Sequence, residues 1–389
     1  MKEQKKKDTL DISKGVFIEK AGRPDRILAA VTMLLAAFGT VMIFSAGYAY
    51  AEAKYNDPWY FISRQAIWLT IGIFAMLLAS RIKISFYKAA AIPIYAVSLL
   101  LLLLTLVIGF VGNGAQRWIS IGPLTVQPSE IAKFAVVIML AYYFDKNGDR
   151  ATEIKSGKTA FLHGTLFPML ILIAPIILIM LQRHLSCIII LGCIGIVLTL
   201  LSGINMKYIV GVIAAGGVGV SCIALFTDYT KDRLTVWLDP EKYKLTGGWQ
   251  TLQGLMAIGS GGIFGKGLGM GELKYCYVSE PANDMIFAIL CEELGFIGAA
   301  ATILLFALLI YRGFKIAIRS SDVFSKMLCL GISTQIAIQA ILNIAVVTNT
   351  IPNTGISLPF FSYGGSSLIM LLFEVGIMLS VSRDATIQK

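Results

Sequence analysis

Apolar residues in this chain gather into long runs, and a bilayer span needs roughly 20 mostly apolar residues. Ten ranges qualify: 27–48, 62–80, 89–109, 129–144, 163–181, 185–202, 206–226, 284–311, 326–348 and 358–381. The predicted fold class is an all-α polytopic membrane protein of about ten transmembrane helices. Two ranges carry the weakest signal. Residues 129–144 are few and include Lys133, and 185–202 follows its predecessor after only Gln182-Arg183-His184. The organisation expected is a basic tail (1–26), one transmembrane domain (27–381) and a short tail (382–389).

Composition sharpens this picture. Of 389 residues, 57% are hydrophobic and 14% charged, against about 25% charged in an ordinary globular domain. That balance excludes a string of soluble domains, a disordered chain, a disulfide scaffold and a fibrous repeat. The net charge of +10 does not point to nucleic acid, because eight Lys or Arg sit within Met1–Arg26. Basic residues flanking apolar runs mark cytoplasmic segments. With the N-terminus inside, cytoplasmic segments hold 22 Lys/Arg, whereas short external loops hold four: Lys54, Arg64, Arg117 and Arg183. Both termini are therefore expected inside the cell, and the long 227–283 loop outside. No small-residue cleavage site follows the first apolar run, so no removed signal peptide is expected. Five of the six cysteines (Cys187, Cys193, Cys222, Cys291, Cys329) fall in apolar runs, and Cys276 in the loop. Without CxxC or His/Cys ligand spacing, neither a disulfide framework nor a metal site is expected.

The 227–283 loop is far longer than an ordinary connection. Its aromatic residues (Trp237, Tyr243, Trp249, Tyr275, Tyr277) argue against disorder. Its centre, 254–271, packs eight glycines into eighteen residues. A P-loop is excluded, since Ser260 and Gly267 stand where a Gly and a Ser/Thr would be required. Two readings remain for this stretch. One is a turn-rich re-entrant or surface loop, and the other is a set of backbone amides cradling a lipid-linked pyrophosphate.

Ionisable residues within spans are costly and mark candidate sites. They are Lys133, Glu292, Glu293 and Glu374. Glu130 and Lys133 are three apart on one helix face and can pair locally, and Glu292-Glu293 reads as a packing cluster or a functional one. Arg117-Trp118 is either a headgroup anchor or an Arg fork for a phosphate. His163 and His184 have no ligand partners in the sequence and read as structural. Ser362-Tyr363-Gly364-Gly365-Ser366 reads as a turn of small residues for close packing. The best catalytic candidate is Asp284, behind Glu280-Pro281. Pro281 suits a first helical position, which would put Asp284 in the first turn of the eighth span. A helix dipole alone would account for a carboxylate there, but its place on the outer membrane face, where the long loop re-enters the bilayer, favours chemistry.

At these residues the chain resembles the SEDS family (shape, elongation, division and sporulation proteins: FtsW, RodA, SpoVE) over nearly its whole length. Three blocks in order carry the resemblance. They are Arg117-Trp118-Ile119 with Gln127-Pro-Ser-Glu-Ile-Ala-Lys133, then Glu280-Pro-Ala-Asn-Asp284 with Glu292-Glu-Leu-Gly295, then Thr354 through Ser367. The stretch from Ile289 to Arg383 looks more like the FtsW/SpoVE branch than RodA. The resemblance implies a peptidoglycan glycosyltransferase of the bacterial cytoplasmic membrane, polymerising lipid II on its outer face for division or sporulation. Its implied partners are a class B penicillin-binding protein, other divisome or sporulation membrane proteins and membrane lipids, with no nucleic acid. The family's essential aspartate maps onto Asp284. Arg117, Trp118, Lys133, Glu280, Ser362, Gly364, Gly365 and Ser366 match further motif positions and are expected at the substrate. One departure stands out. The family usually has an acid after the fifth span that pairs with the motif lysine, and here that place holds His184, so Lys133 is expected to pair with Glu130 or with a glutamate of the eighth span.

The chemistry implied is an inverting transfer. A sugar hydroxyl attacks an anomeric carbon bonded to undecaprenyl pyrophosphate, so one general base suffices, by analogy with inverting glycosidases. Asp284 is expected to be that base, aided by burial that raises its pKa. Arg117, loop amides or a divalent cation would carry the pyrophosphate charge. A lipid II flippase and a non-catalytic scaffold for the penicillin-binding protein are the alternatives.

Overall fold

Away from water a backbone must satisfy its own hydrogen bonds, and an apolar run does so by closing into a helix. The computed structural model describes residues 22–112, 115–121, 124–152, 162–202, 211, 228–275 and 277–387. Helices lie on nine of the ten expected ranges. The tenth, 206–226, falls outside the described residues except for Gly211, as does most of the basic tail. In chain order the helices are α1 (Arg26–Tyr55), α2 (Tyr60–Ala79), α3 (Ile84–Ile108) and α4 (Pro128–Thr152). After one π turn at Leu162–Leu166 come α5 (Phe167–Leu181), α6 (Leu185–Leu201), α7 (Asp228–Leu238) and α8 (Gly248–Gly261). The last three are α9 (Ile286–Arg319), α10 (Val323–Val347) and α11 (Gly365–Ile387).

Among the described residues seven helices, α5 counted with its π turn, are long and apolar enough to cross a membrane, and α6 is apolar but shorter. Large apolar side chains such as Phe74 and Val107 stay exposed, as they would against lipid. The chain is a multi-pass membrane protein. The expected span at 129–144 had the weaker pattern for a physical reason. Its helix α4 is buried at nearly every position from Ala132 to Ala141 and carries charge at Glu130, Lys133, Asp145 and Lys146. A helix enclosed by others need not be apolar at every position along its length.

Small residues set the close packing. α11 lies on α2, where a Cβ at Gly376 would sit 2.4 Å from the Met76 carbonyl oxygen and one at Gly72 would strike Leu372. One end of the bundle is fastened by Asp25. Its Oδ1 accepts from the Leu28 amide (2.9 Å), capping α1, while Oδ2 pairs with Arg312 of α9. The Asp25 amide donates to Ser382 Oγ of α11 at 3.0 Å.

Four local expectations need correction. The link between α3 and α4 forms a three-stranded antiparallel meander, β1 (Phe110–Gly112), β2 (Ala115–Ile121) and β3 (Leu124–Val126). The loop at 227–283 contains two helices, α7 and α8; Gly254 and Gly259 inside α8 conceal it from a propensity argument. α11 begins at Gly365 rather than 358, because Pro359 and a left-handed Phe360 (φ 65°) keep the approach irregular. α9 begins at Ile286 and breaks at Gly295 (φ 64°, ψ −164°), so a short segment precedes the long helix.

Candidate functional site

The other end of the bundle gathers the candidate residues. Residues 281–285 form turns before α9, so Asp284 precedes the helix instead of lying in its first turn. Glu280, at a positive φ of 52°, opens the turn, and its carboxylate accepts from Asn283 Nδ2 at 2.6 Å. The segment before α11 holds this turn in place. Ser362 Oγ donates to the Asn283 carbonyl (2.6 Å) while accepting from the Leu358 amide (2.7 Å). The Tyr363 amide donates to the Ala282 carbonyl at 2.8 Å. Ser362 is thus a brace for the Asp284 turn.

The Asp284 carboxylate is poorly satisfied. Oδ2 accepts one long bond from Gln250 Nε2 of α8 at 3.3 Å, and Oδ1 is buried with no hydrogen-bond partner. Gly355 lies against it, with room for a Cβ only 3.7 Å from Oδ2. Burial pushes the Asp284 carboxyl up to about 6 and the Glu280 carboxylate adds to the rise, while a hydrogen bond from the residue's own backbone, then Gln250 and Arg233, oppose it. A carboxylate of that basicity, half ionised at about pH 6 and mostly ionised at neutral pH, is suited to accept a proton. Arg233 of α7 donates to the Asn353 carbonyl and Ser186 of α6 to the Thr354 carbonyl, so the irregular 353–357 segment is pinned from several helices.

The remaining motif residues form a second cluster beside the first. Lys133 Nζ lies 2.9 Å from Glu130 Oε1 and 2.9 Å from Gln339 Oε1. Glu130 is therefore its acidic partner, and the eighth-span glutamates are not. Arg117 on β2 donates to the Gln182 carbonyl (3.4 Å) and to the Arg183 carbonyl, at the C-terminal end of α5. Trp118 stands opposite Phe110 in the meander. His184 is buried with Nδ1 unpartnered; burial, then Arg117 and Lys133, lower its pKa to about 3 and keep the imidazole neutral. Gln127 at the start of the Lys133 block donates its amide to Ser366 Oγ at 3.3 Å. Gly365 is packed onto the Trp68 ring, where a Cβ would collide at 2.2 Å, whereas a Cβ at Gly364 would meet only Ser367 at an ordinary 3.7 Å. Structure thus joins Asp284, Glu280 and Ser362 directly, and attaches Ser366 and Lys133 through neighbours.

The glycine-dense loop has amides that hold an anion, and the anion is the protein's own. The amides of Glu272 and Leu273 donate to Glu292, at 2.9 Å and 3.3 Å, and that of Gly269 donates to Glu293 at 3.0 Å. Lys266 pairs with Glu292 (3.0 Å) and Lys274 with Glu293 (2.7 Å), and Ser45 of α1 also donates to Glu293. The loop backbone closes on the α9 break, with Lys266 N to Glu292 O at 3.0 Å and Phe296 N to Gly262 O at 2.9 Å. Glycine is required at 265 and 295, both at positive φ and with no room for a Cβ. The loop amides therefore serve internal packing against α9. Among the described residues no group of three or more His, Cys, Asp or Glu could hold a metal ion.

Sequence reasoning missed three buried amides on α10. Gln335, Gln339 and Asn343 recur every four residues on one face of an apolar helix. That period in a membrane span was the available signal.

Fold and site together define a polytopic membrane protein with a partly desolvated aspartate where three sequence blocks meet at one end of the bundle. The chain belongs to the family of FtsW, RodA and SpoVE, described as cell cycle proteins, which matches residues 25–387. It is 37% identical over 366 residues to stage V sporulation protein E of Bacillus subtilis, covering 94% of this chain and 98% of that one. It is 36% identical over 368 residues to the probable peptidoglycan glycosyltransferase FtsW of Geobacter metallireducens, covering 94% and 96%. Among solved structures, a chain of a peptidoglycan synthase complex, whose study concerns coordination of polymerization and crosslinking, superimposes with a TM-score of 0.77 at 27% identity, over 93% of this chain and 98% of that one. RodA of Thermus thermophilus does so at 0.68 and 27%, over 93% and 97%.

Proposed function

We propose that this chain is a peptidoglycan glycosyltransferase that polymerises lipid II into glycan strands at the outer face of the bacterial cytoplasmic membrane, with Asp284 as general base. The observation that carries the reading is the Asp284 carboxylate, desolvated, basic for its type, and left with an unpartnered oxygen beside a glycine. A structural carboxylate at this cost would be expected to have partners.

Asp284 takes the proton of the acceptor sugar hydroxyl as that oxygen attacks the anomeric carbon, and undecaprenyl pyrophosphate leaves from the opposite face. Inversion in one step needs no covalent intermediate. With the loop amides occupied by Glu292 and Glu293, neutralising the pyrophosphate falls to Arg117 or to a divalent cation carried by the pyrophosphate itself. Glu280 and the 362–366 turn stand beside the base, and Trp118 on the meander is assigned to the same substrate. Ten spans, both termini inside and the 227–283 segment outside complete the topology, and a class B penicillin-binding protein is the partner, supported by the likeness to a peptidoglycan synthase complex.

The test is purified full-length protein with its penicillin-binding partner and labelled lipid II. Wild type is expected to make glycan strands and Asp284→Asn, equally well folded, none. Strands from the folded variant would refute the base. Lipid II crossing vesicles without strand synthesis would refute the enzyme in favour of a flippase.

A further inference from the structure

The Asp284 carboxylate has a single long side-chain bond, so its aim must be set through the main chain. The neighbouring residues are held by Ser362 at the Asn283 carbonyl and by Tyr363 at the Ala282 carbonyl. At residue 284 itself the contact comes from α10. Asn343 Nδ2 divides its two hydrogens between the Asp284 carbonyl at 2.9 Å and the Ile356 carbonyl at 2.6 Å. Its side chain is fully buried and joins two segments 72 residues apart, the turn before α9 and the irregular segment before α11. One turn away on the same face, Gln339 repeats the device. Its Nε2 donates to the Ser357 carbonyl and hydroxyl at 3.2 Å and 3.1 Å, and its Oε1 lies 2.9 Å from Lys133 Nζ. Ile356 and Ser357 are adjacent, so a path of hydrogen bonds runs from the Glu130–Lys133 pair to the residue that bears the carboxylate.

We propose that Asn343 is a positioning residue for the transfer reaction, fixing the main chain of Asp284 against the 354–357 segment, and that Gln339 connects Lys133 to the same segment so that Lys133 acts on the site from a distance. The inference rests on Asp284 being the base. It explains why an amide, with two hydrogens in one plane, occupies the most buried position of an otherwise apolar stretch. It also explains how a lysine bonded only within the bundle can matter to chemistry near Gly355. A displacement of about 1 Å can cost about 10²-fold in rate, which is the scale at stake when this bracket opens. The charged groups facing Asp284 are Glu280 on its own turn and Arg233 from α7, with the neutral amide of Gln250 from α8; Asn343→Ala changes none of them directly.

The experiment measures kcat and KM for lipid II across pH, using full-length protein with its partner and counting only folded enzyme. Asn343→Ala is expected to lower kcat by about 10–100-fold with KM nearly unchanged. Water reaching the loosened carboxylate lowers its pKa, so the acid limb of the profile moves to lower pH. Asn343→Ser, which keeps one donor, should fall between wild type and Asn343→Ala. A folded Asn343→Ala with kcat within about twofold of wild type, or with an unmoved acid limb, would overturn the proposal. Loss of folding in both variants would overturn it too, in favour of an amide that serves structure alone. Asp284→Asn run alongside separates the two readings. An active Asp284→Asn removes the base and leaves the Asn343 effect to be explained otherwise, whereas an inactive Asp284→Asn beside a normal Asn343→Ala removes only the bracket.

Discussion

Two carboxylate sites lie within ten residues of each other at the start of α9, and they are built on opposite principles. Glu292 and Glu293 are fully buried, and each has a lysine, loop amides or a serine hydroxyl around both oxygens. Outside its own residue, Asp284 keeps one oxygen without a partner and the other on a single side-chain bond of 3.3 Å. Burying a charge without partners is expensive, and the glutamates avoid that cost where Asp284 does not. A saturated buried carboxylate fastens segments together, here the glycine loop, α9 and α1. An unsaturated one holds its proton to higher pH and keeps a lone pair available. Asp284 is also half-buried where the two glutamates are fully enclosed, so partners and exposure together separate the fastening from the reactive group.

The sharpest way to break this contrast is Asp284→Asn. As a lost general base it should reduce polymerisation by roughly 10²–10⁴-fold. Its stability should move the other way. The folded carboxyl binds its proton up to about 6, whereas the ordinary value is 3.8. Between those values the folded state holds more protons, so Asp284 lowers stability as pH rises through that window. The asparagine variant should therefore melt higher than wild type at pH 8, by at most about 3 kcal/mol, with the gain vanishing below about pH 4. A variant that is inactive and less stable at pH 8 would contradict the contrast. Wild-type kcat should fall as pH drops through about 6.

At the glutamates the effect should fall on folding. Lys274→Met leaves the Glu293 charge buried with its cation gone, a loss of about 3–5 kcal/mol. Lys274→Met with Glu293→Gln should regain much of it, read as melting temperature in detergent, while the enzyme that stays folded keeps its rate. A rate loss in folded Lys274→Met would show that the fastening and the reactive site are not separable.

Much of this was legible from the chain alone, and the rest was hidden for identifiable reasons. Long apolar runs located the helices because lipid leaves the backbone no alternative. Asp284 stood out as a carboxylate at the outer start of a span. The sequence order could not reveal that loop amides near Gly269 serve Glu293 and not a phosphate, since amide direction depends on the turns around Gly265 and Gly267. Nor did it place Asp284 outside the α9 helix, because Pro281 marks a turn as readily as a first helical residue. The α10 amides recur with a period of four, but their partners, Ser357 and Ile356, lie in an irregular segment that no period describes.

Lys133 sits between the two extremes of the comparison. It is buried with Glu130 and Gln339, yet connects toward Asp284. Lys133→Met should cost about 1–3 kcal/mol as Glu130 loses its partner, and lower activity beyond the folded fraction if the α10 path transmits to the site. Full activity at unchanged melting temperature would remove Lys133 from both roles.

The smallest effect is expected at His184. Its imidazole is neutral, its Nδ1 has no partner, and Arg117 and Lys133 both oppose its protonation. The position therefore already favours negative charge over positive. His184→Asp would place a carboxylate between two cations, and its desolvation cost would be offset by their attraction. Melting temperature should stay within a few degrees of wild type or rise, and polymerisation should stay the same or increase by about threefold at most. In that background Lys133→Met should become more damaging than in wild type, since the lysine would then serve two acids. Unfolding of His184→Asp would mean that Glu130, Gln339 and the Gln182 and Arg183 carbonyls already saturate the two cations. The cluster would then belong with Glu292 and Glu293 as a closed fastening, and the openness at this end of the bundle would be confined to Asp284.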